Sequence, residues 1–234
     1  MKDFIKNVFA NIVAILLIGA VLLGIMIMIF VVSAMSGDQK PFVENNSVLT
    51  INFKGNILDS YTEKEESIFD FGQNKDVLLL DVVNAINNAK KDEKIKGISI
   101  EVDNLPAGIT QVDDIRAAIE DFKKSGKFVY AYGNNMSQGS YYLASVADKL
   151  YLNPVGMVEL KGLSTEVTFL KDFAAKYGIG VDVIRHGKFK AAVEPFIRND
   201  ISPENKEQLS TLLNDIWGNI STKIKASRKL DDAT

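Results

Sequence analysis

An α/β domain behind a single N-terminal membrane-spanning helix is the architecture this sequence predicts, on three observations. From Ile12 to Val32 no side chain is polar or charged, long enough as a helix to cross a hydrocarbon core of about 30 Å. Beyond it, short β-branched and aromatic runs alternate with longer runs of helical period, the pattern of folds whose helices cross between strands. Near the end, Arg185–Asp200 forms a loop too rich in Gly187, cations and carboxylates to be a plain connector.

Composition narrows the function. The chain has 234 residues and a net charge of −3, which gives no basic stripe for nucleic acid. Cysteine is absent and His186 is the one histidine. This removes disulfides, thiol nucleophiles and multi-His or Cys metal sites. No phosphate-binding GxxxxGK[ST] run and no clustered acidic ligands are present, so no cofactor or metal is expected. His186 itself reads as a polar loop residue.

Taken in order, residues 1–35 form a cytoplasmic tip and signal anchor. Lys2 and Lys6 precede the apolar run and no cation follows until Lys40, so the N-terminus stays in the cytoplasm and the rest lies extracytoplasmically. The run exceeds the roughly 7–15 residues of a signal-peptide core, although Ser33–Gly37 offers small residues for cleavage. Residues 36–47 are a polar linker containing Pro41, and 48–234 the domain proper.

Val48–Phe53 alternates as a strand. Residues 56–75 read as a loop, and Asp76 as the cap of a helix reaching Lys90. Ile98–Val102 is a strand, 104–110 a Pro/Gly turn, Gln111–Lys124 a helix and Phe128–Tyr132 a strand. A short helix follows at Gln138–Val146, then the strand Lys149–Leu152. Asn153-Pro154 turns the chain toward Val158–Leu160 and Leu163–Val167. A helix near Phe169–Tyr177, a strand at Gly180–Ile184 and a long helix, Pro203–Ala226, complete the domain. That last helix carries Leu209, Leu212, Leu213, Ile216, Ile220 and Ile224 on one face.

The chemistry concentrates in loops after strands. In extended backbone Lys188 and Lys190 point to one side and Phe189 to the other. A lysine held among Phe189, Ala191, Ala192 and Val193 can lose its proton and act as a base; a solvated loop answered by Glu194 and Asp200 is the plainer alternative. The loops 104–108 and 134–140 offer backbone N–H groups, raw material for an oxyanion hole or for ordinary turns.

Several segments carry a resemblance: Leu105–Gly108, Ser125–Ala131, Met136–Ser145, Ala147–Gly156 and, most specific, Gly187–Arg198 followed by Ser202-Pro203. The chain resembles the signal peptide peptidase A (protease IV) family, peptidase family S49, and in particular the N-terminal half of its long, two-domain form. The resemblance implies a ClpP/crotonase-like fold of repeated ββα units and a Ser-Lys dyad. It carries the general base onto Lys190. The family's nucleophile lies in a Ser-Gly-Gly-Tyr type segment of the C-terminal domain. The matching segment here is Gln138–Tyr141, so Gln138 holds that position, flanked by Ser137 and Ser140, and this chain supplies no nucleophile.

What the resemblance implies is therefore a serine endopeptidase half, inactive alone, anchored in the inner membrane. It would degrade signal peptides and other peptides near the bilayer, as a homo-oligomer. A non-catalytic crotonase-like scaffold is the alternative. An acyl-CoA enzyme is disfavoured by the extracytoplasmic placement.

Overall fold

The architecture comes from a computed structural model, which describes residues 1–35, 43–60, 76–103, 105–184 and 190–231. The chain divides into two units, Met1–Val43 and Glu44–Thr234. The first is one helix, α1 (Lys2–Met35). Its stretch Phe4–Val31 has a mean hydropathy of 3.2 and is long and apolar enough to cross a membrane. Leu16, Leu22, Met28 and Phe30 all stand exposed around its circumference. A helix apolar on every side, rather than along a stripe, suits a lipid environment.

The second unit is built on four parallel strands. β1 (Ser47–Asn52), β4 (Ile95–Glu101), β5 (Phe128–Met136) and β6 (Lys149–Val158) lie side by side in that order. β2 (Ile57–Leu58) and β3 (Val77–Leu78) form a separate parallel pair. Each crossover in the main sheet carries a helix: α2 (Leu79–Lys91), α3 (Ile109–Lys123) and α4 (Gln138–Ala144). Strands added always on the same side, each through a helical crossover, leave α2, α3 and α4 as successive neighbours. α2 packs on α3, and α3 on α4.

The core lies between that helical layer and the sheet. Ile98 and Ile100 of β4 and Val129 and Ala131 of β5 meet Ile86, Ile115, Ile119 and Phe122 from the helices, all essentially inaccessible. The alternate positions face the other way. There Phe128 contacts Tyr130 at 4.7 Å between ring centroids, and Tyr130 contacts Tyr151 at 6.1 Å. Phe128 lies flat over Gly97, where a side chain would overlap its ring.

The remainder is less regular. α5 (Lys171–Lys176) follows β6 after an irregular stretch, and a 3₁₀ turn (Ala191–Val193) runs directly into α6 (Glu194–Ile197). α7 (Pro203–Arg228) closes the domain. Only its C-terminal half reaches the core, through Ile220 and Ile224, while Leu212 is exposed.

The strand-helix alternation and the parallel sheet agree with the expectation, and several boundaries do not. Asp76 caps no helix: its carboxylate accepts from Asn56 N at 3.1 Å and Asn56 Nδ2 at 3.0 Å, which zips β2 to β3. Cross-strand pairing thus captures Val77 and Leu78, and α2 begins at Leu79. Asn153-Pro154 does turn the chain, but inside β6: Leu152 pairs with Gly133 and Met157 with Asn135. Residues 153–156 therefore bulge out of the ladder, Val155 N donating to Asn153 Oδ1 at 3.1 Å, where a proline that cannot donate is tolerated. Gly180–Ile184 is not a strand despite its β-branched residues; no described strand lies beside it, and Ile184 is fully exposed. Propensity without a partner does not make a strand.

Candidate functional site

Lys190 stands immediately before the 3₁₀ turn, at φ −97° and ψ 67°, and is exposed. The loop that leads to it, with His186, Lys188 and Phe189, lies outside the described residues. Three contacts fix the segment after it. The Leu170 N–H donates to the Pro195 carbonyl at 2.6 Å. Asn199 Nδ2 donates to Asp172 Oδ1 at 3.0 Å. Arg198 Nη2 pairs with Asp200 Oδ1 at 2.9 Å. Asp200 thus answers a cation of the loop, as the sequence suggested, while Glu194 bonds to neutral groups at the start of α7.

Glu194 is instead buried, with 3% of its surface exposed. Its carboxylate accepts from Ser202 Oγ, from the Ser202 N–H at 3.2 Å and from Asn205 Nδ2 at 3.2 Å. The hydrogen bond from the Ser202 hydroxyl, with those from the Ser202 backbone and Asn205, outweighs burial and holds Glu194 below the ordinary glutamate range. Ser202 Oγ in turn accepts from Asn205 N at 3.1 Å, as the N-cap of α7 with Pro203 just inside. Beside this junction a cavity of about 430 Å³ opens between residues 164–169 and the first turns of α7. Val167, Phe169, Ile201, Leu209 and Leu213 are among its walls.

At the other landmark, Gln138 opens α4 behind the N-cap Ser137. Its carboxamide oxygen accepts from the N–H groups of Lys161 at 3.1 Å and Gly162 at 2.9 Å, and Nε2 donates to the Gly162 carbonyl at 3.2 Å. Gly162 turns at φ +80°, a conformation that favours glycine. Gln138 therefore straps the chain after β6 onto the start of α4. The flanking serines are otherwise engaged. Ser137 Oγ accepts from Ser140 N at 3.3 Å, and Ser140 is fully buried.

In the two loops named as oxyanion-hole material, several donors are spent internally. Asn104 lies outside the described residues; beyond it, Gly108 N donates to Gln111 Oε1 at 2.9 Å and Ala107 N to the Leu105 carbonyl. The N–H groups of Asn134 and Asn135 both donate to Asp103 Oδ1, the second at 3.0 Å, and Asn134 Nδ2 reaches Asp103 Oδ2. Burial pushes the Asp103 carboxyl up, but the bonds from Asn134 and Asn135 prevail and hold it below its ordinary value. A carboxylate of the chain itself fills the place an oxyanion would take, so these amides act as turn donors.

One polar cluster was not foreseen. Arg116 is 1% exposed, on the inward face of α3. Its Nη1 donates to the Tyr142 carbonyl at 2.5 Å and Ser145 Oγ at 2.8 Å, and its Nη2 to the Lys223 carbonyl at 3.2 Å. Asp113, one turn earlier, takes the Tyr142 hydroxyl and Lys223 Nζ, each at 2.5 Å. The signal was present in the sequence: Arg116 sits within the apolar stripe Val112, Ile115, Ile119, where an unpaired charge is not tolerated.

Against known proteins, the sequence model of peptidase family S49 matches residues 121–234. Protease 4 of Haemophilus influenzae is 34% identical over 224 residues, covering 92% of this chain and 36% of that protein. Protease 4 of Salmonella typhi is 41% identical over 165 residues, 68% of this chain and 27% of that protein. The chloroplastic serine protease SPPA of Arabidopsis thaliana is 36% identical over 177 residues, 76% of this chain and 25% of that protein. The chain thus spans about a quarter to a third of the length of these relatives. With the lysine-bearing turn, the α/β domain and these matches together, the chain belongs to peptidase family S49, the signal peptide peptidase A family.

Proposed function

We propose that this chain is the base-bearing half of a membrane-anchored serine endopeptidase working by a Ser-Lys dyad. Lys190 is its general base. The observation that carries the reading is the Lys190–Arg198 turn, held on α7 by a buried carboxylate inside the family's matched region. A neutral lysine amine beside a serine hydroxyl takes its proton as the oxygen attacks a peptide carbonyl, and returns it to the departing amine. The serine comes from elsewhere, either a further domain or another subunit, since Gln138 is committed to Lys161 and Gly162.

The substrates are peptides near the membrane, signal peptides foremost, and the apolar cavity beside Ile201 suits hydrophobic side chains. The domain lies on the extracytoplasmic side of the inner membrane, with Lys2 and Lys6 in the cytoplasm. Homo-oligomerisation is supported by the large apolar side chains left exposed from β6 onward, Val155, Phe173, Ile179 and Ile184 among them.

Cleavage of an apolar fluorogenic peptide in detergent tests this reading, comparing this chain, the longest product of its coding sequence, and that product carrying Lys190→Ala. Cleavage by the long product alone supports the split dyad, and normal cleavage by Lys190→Ala refutes it. The second reading, a non-catalytic scaffold, is favoured by the way Gln138 straps α4. It predicts no cleavage by any form, with oligomerisation intact.

A further inference from the structure

We propose that Glu194 is the positioning residue of this site: it sets where the Lys190 ammonium stands by pinning the lysine's turn to the N-terminus of α7. The inference rests on the reading of Lys190 as the base.

The Leu170 N–H on the Pro195 carbonyl and Asn199 on Asp172 join the segment to α5, and Glu194 joins it to α7. Ala191 and Val193 are only half-buried and Ala192 is exposed, so apolar packing constrains the turn in part. Residues 181–184 before the loop are in no strand or helix. From Lys190 to Asp200 only Glu194 is buried. It follows Lys190 by four residues, about one helical turn, so a shift of its carboxylate carries the lysine with it.

The partners of Glu194 are all donors: the Ser202 hydroxyl, the Ser202 N–H and Asn205 Nδ2. Such a set fits a carboxylate, which only accepts, and mismatches an amide, which would aim N–H at N–H or O–H. Nor is Glu194 needed to finish α7. Ser202 Oγ already caps that helix by accepting from Asn205 N. The carboxylate takes the N-cap's own N–H and two side chains, bonds that join the turn to the helix rather than complete the helix. Arg198 adds a nearby positive charge from the same turn.

The test compares wild type, Glu194→Gln, Ser202→Ala and Lys190→Ala in the longest product of the coding sequence, in detergent. Two quantities are measured: steady-state kinetics on an apolar peptide, and acetylation of Lys190 by acetic anhydride, read by mass spectrometry against Lys161. In Glu194→Gln we expect kcat to fall about 100-fold with KM within about twofold, the loss that a 1 Å misplacement produces. The Lys190-to-Lys161 acetylation ratio should change at least about threefold. Ser202→Ala, which keeps two of the donors, should fall between. If Glu194→Gln does not fold, Ser202→Ala alone decides by the same two measures.

A merely structural Glu194 would lower the melting temperature and leave kcat and the acetylation ratio at wild-type values, which overturns the proposal. That result with Lys190→Ala inactive leaves Lys190 as the base. Full activity in Lys190→Ala overturns the base assignment and this inference with it. Should no form cleave the peptide, an unchanged acetylation ratio still overturns the proposal and a changed one supports it.

Discussion

Arg116 offers the sharpest test of what holds α7 in place. The guanidinium joins three elements: α3, which carries it, the end of α4 through Tyr142 and Ser145, and the last turns of α7 through the carbonyl of Lys223 and Ser227 Oγ. It also lies 4.9 Å from the Tyr142 ring centroid and 3.2 Å from Glu120. Burial disfavours its charge, so it persists only because these acceptors surround it. Arg116→Ala removes donors from two buried carbonyls and two hydroxyls and leaves a cavity. Charge-assisted hydrogen bonds are worth about 1.5–3 kcal/mol each but are not additive within one group, and breaking a buried network costs about 3–5 kcal/mol in total. For a domain of this size that is a fall of roughly 10–15 °C in unfolding midpoint. Trp217, the single tryptophan, lies on α7 and packs against the core, so its fluorescence reports release of that helix. In the variant its transition should precede loss of far-UV circular dichroism. Arg116→Lys should lose nearly as much, because one ammonium cannot span both the Tyr142 and Lys223 carbonyls as the planar fork does. A midpoint within about 3 °C of wild type for Arg116→Ala would refute this account of the cluster.

Four further outcomes follow from the same structure. Gly156→Ala should destabilise by about 1–3 kcal/mol in thermal unfolding, because a methyl there overlaps the Asn134 carbonyl across β5 and β6. Gly139→Ala, with nothing within 4 Å, should be neutral or slightly stabilising. Gln138→Ala should free the Lys161 and Gly162 amides, seen as roughly tenfold faster hydrogen exchange at both, equivalent to about 1.4 kcal/mol. Unchanged exchange would show that the strap is not what orders that turn. Finally, Glu194, Asp113 and Asp103 all titrate below their ordinary values. For Asp113 burial pushes upward, and the bonds from Lys223 and Tyr142 overcome it. Each group binds its proton less readily folded than unfolded. Its contribution is therefore complete above the ordinary carboxylate pKa, about 4, and is lost as pH falls through the lower folded value. Stability measured by urea unfolding should decline below about pH 4.5, and Glu194→Gln should flatten that decline.

Much of the fold is legible in the chain because it rests on local patterning. The apolar run of α1, the alternation in β1 and the apolar periods of α3 and α7 each declare an element before any neighbour is known. The resemblance draws attention to Gln138 from sequence alone. What Gln138 does was not identifiable, since its partners at Lys161 and Gly162 lie 23 and 24 residues away.

The errors share one cause. Asp76 looks like a helix cap by position, yet Asn56, 20 residues earlier, claims its carboxylate. Residues 180–184 look like a strand, yet no described edge receives them. For Asn134 and Asn135 the sequence left oxyanion donors and turn donors both open, and Asp103, 31 and 32 residues earlier, takes both as turn donors. Sequence by itself determined most element types, the lipid-compatible helix and the resemblance to the family, because each depends on periodicity or on neighbouring residues. Only the tertiary structure decided which polar groups are already satisfied, Glu194 by α7 and Arg116 by α4 and α7. A hydrogen bond between distant segments leaves no trace in local spacing, and it is those bonds that fix where Lys190 stands.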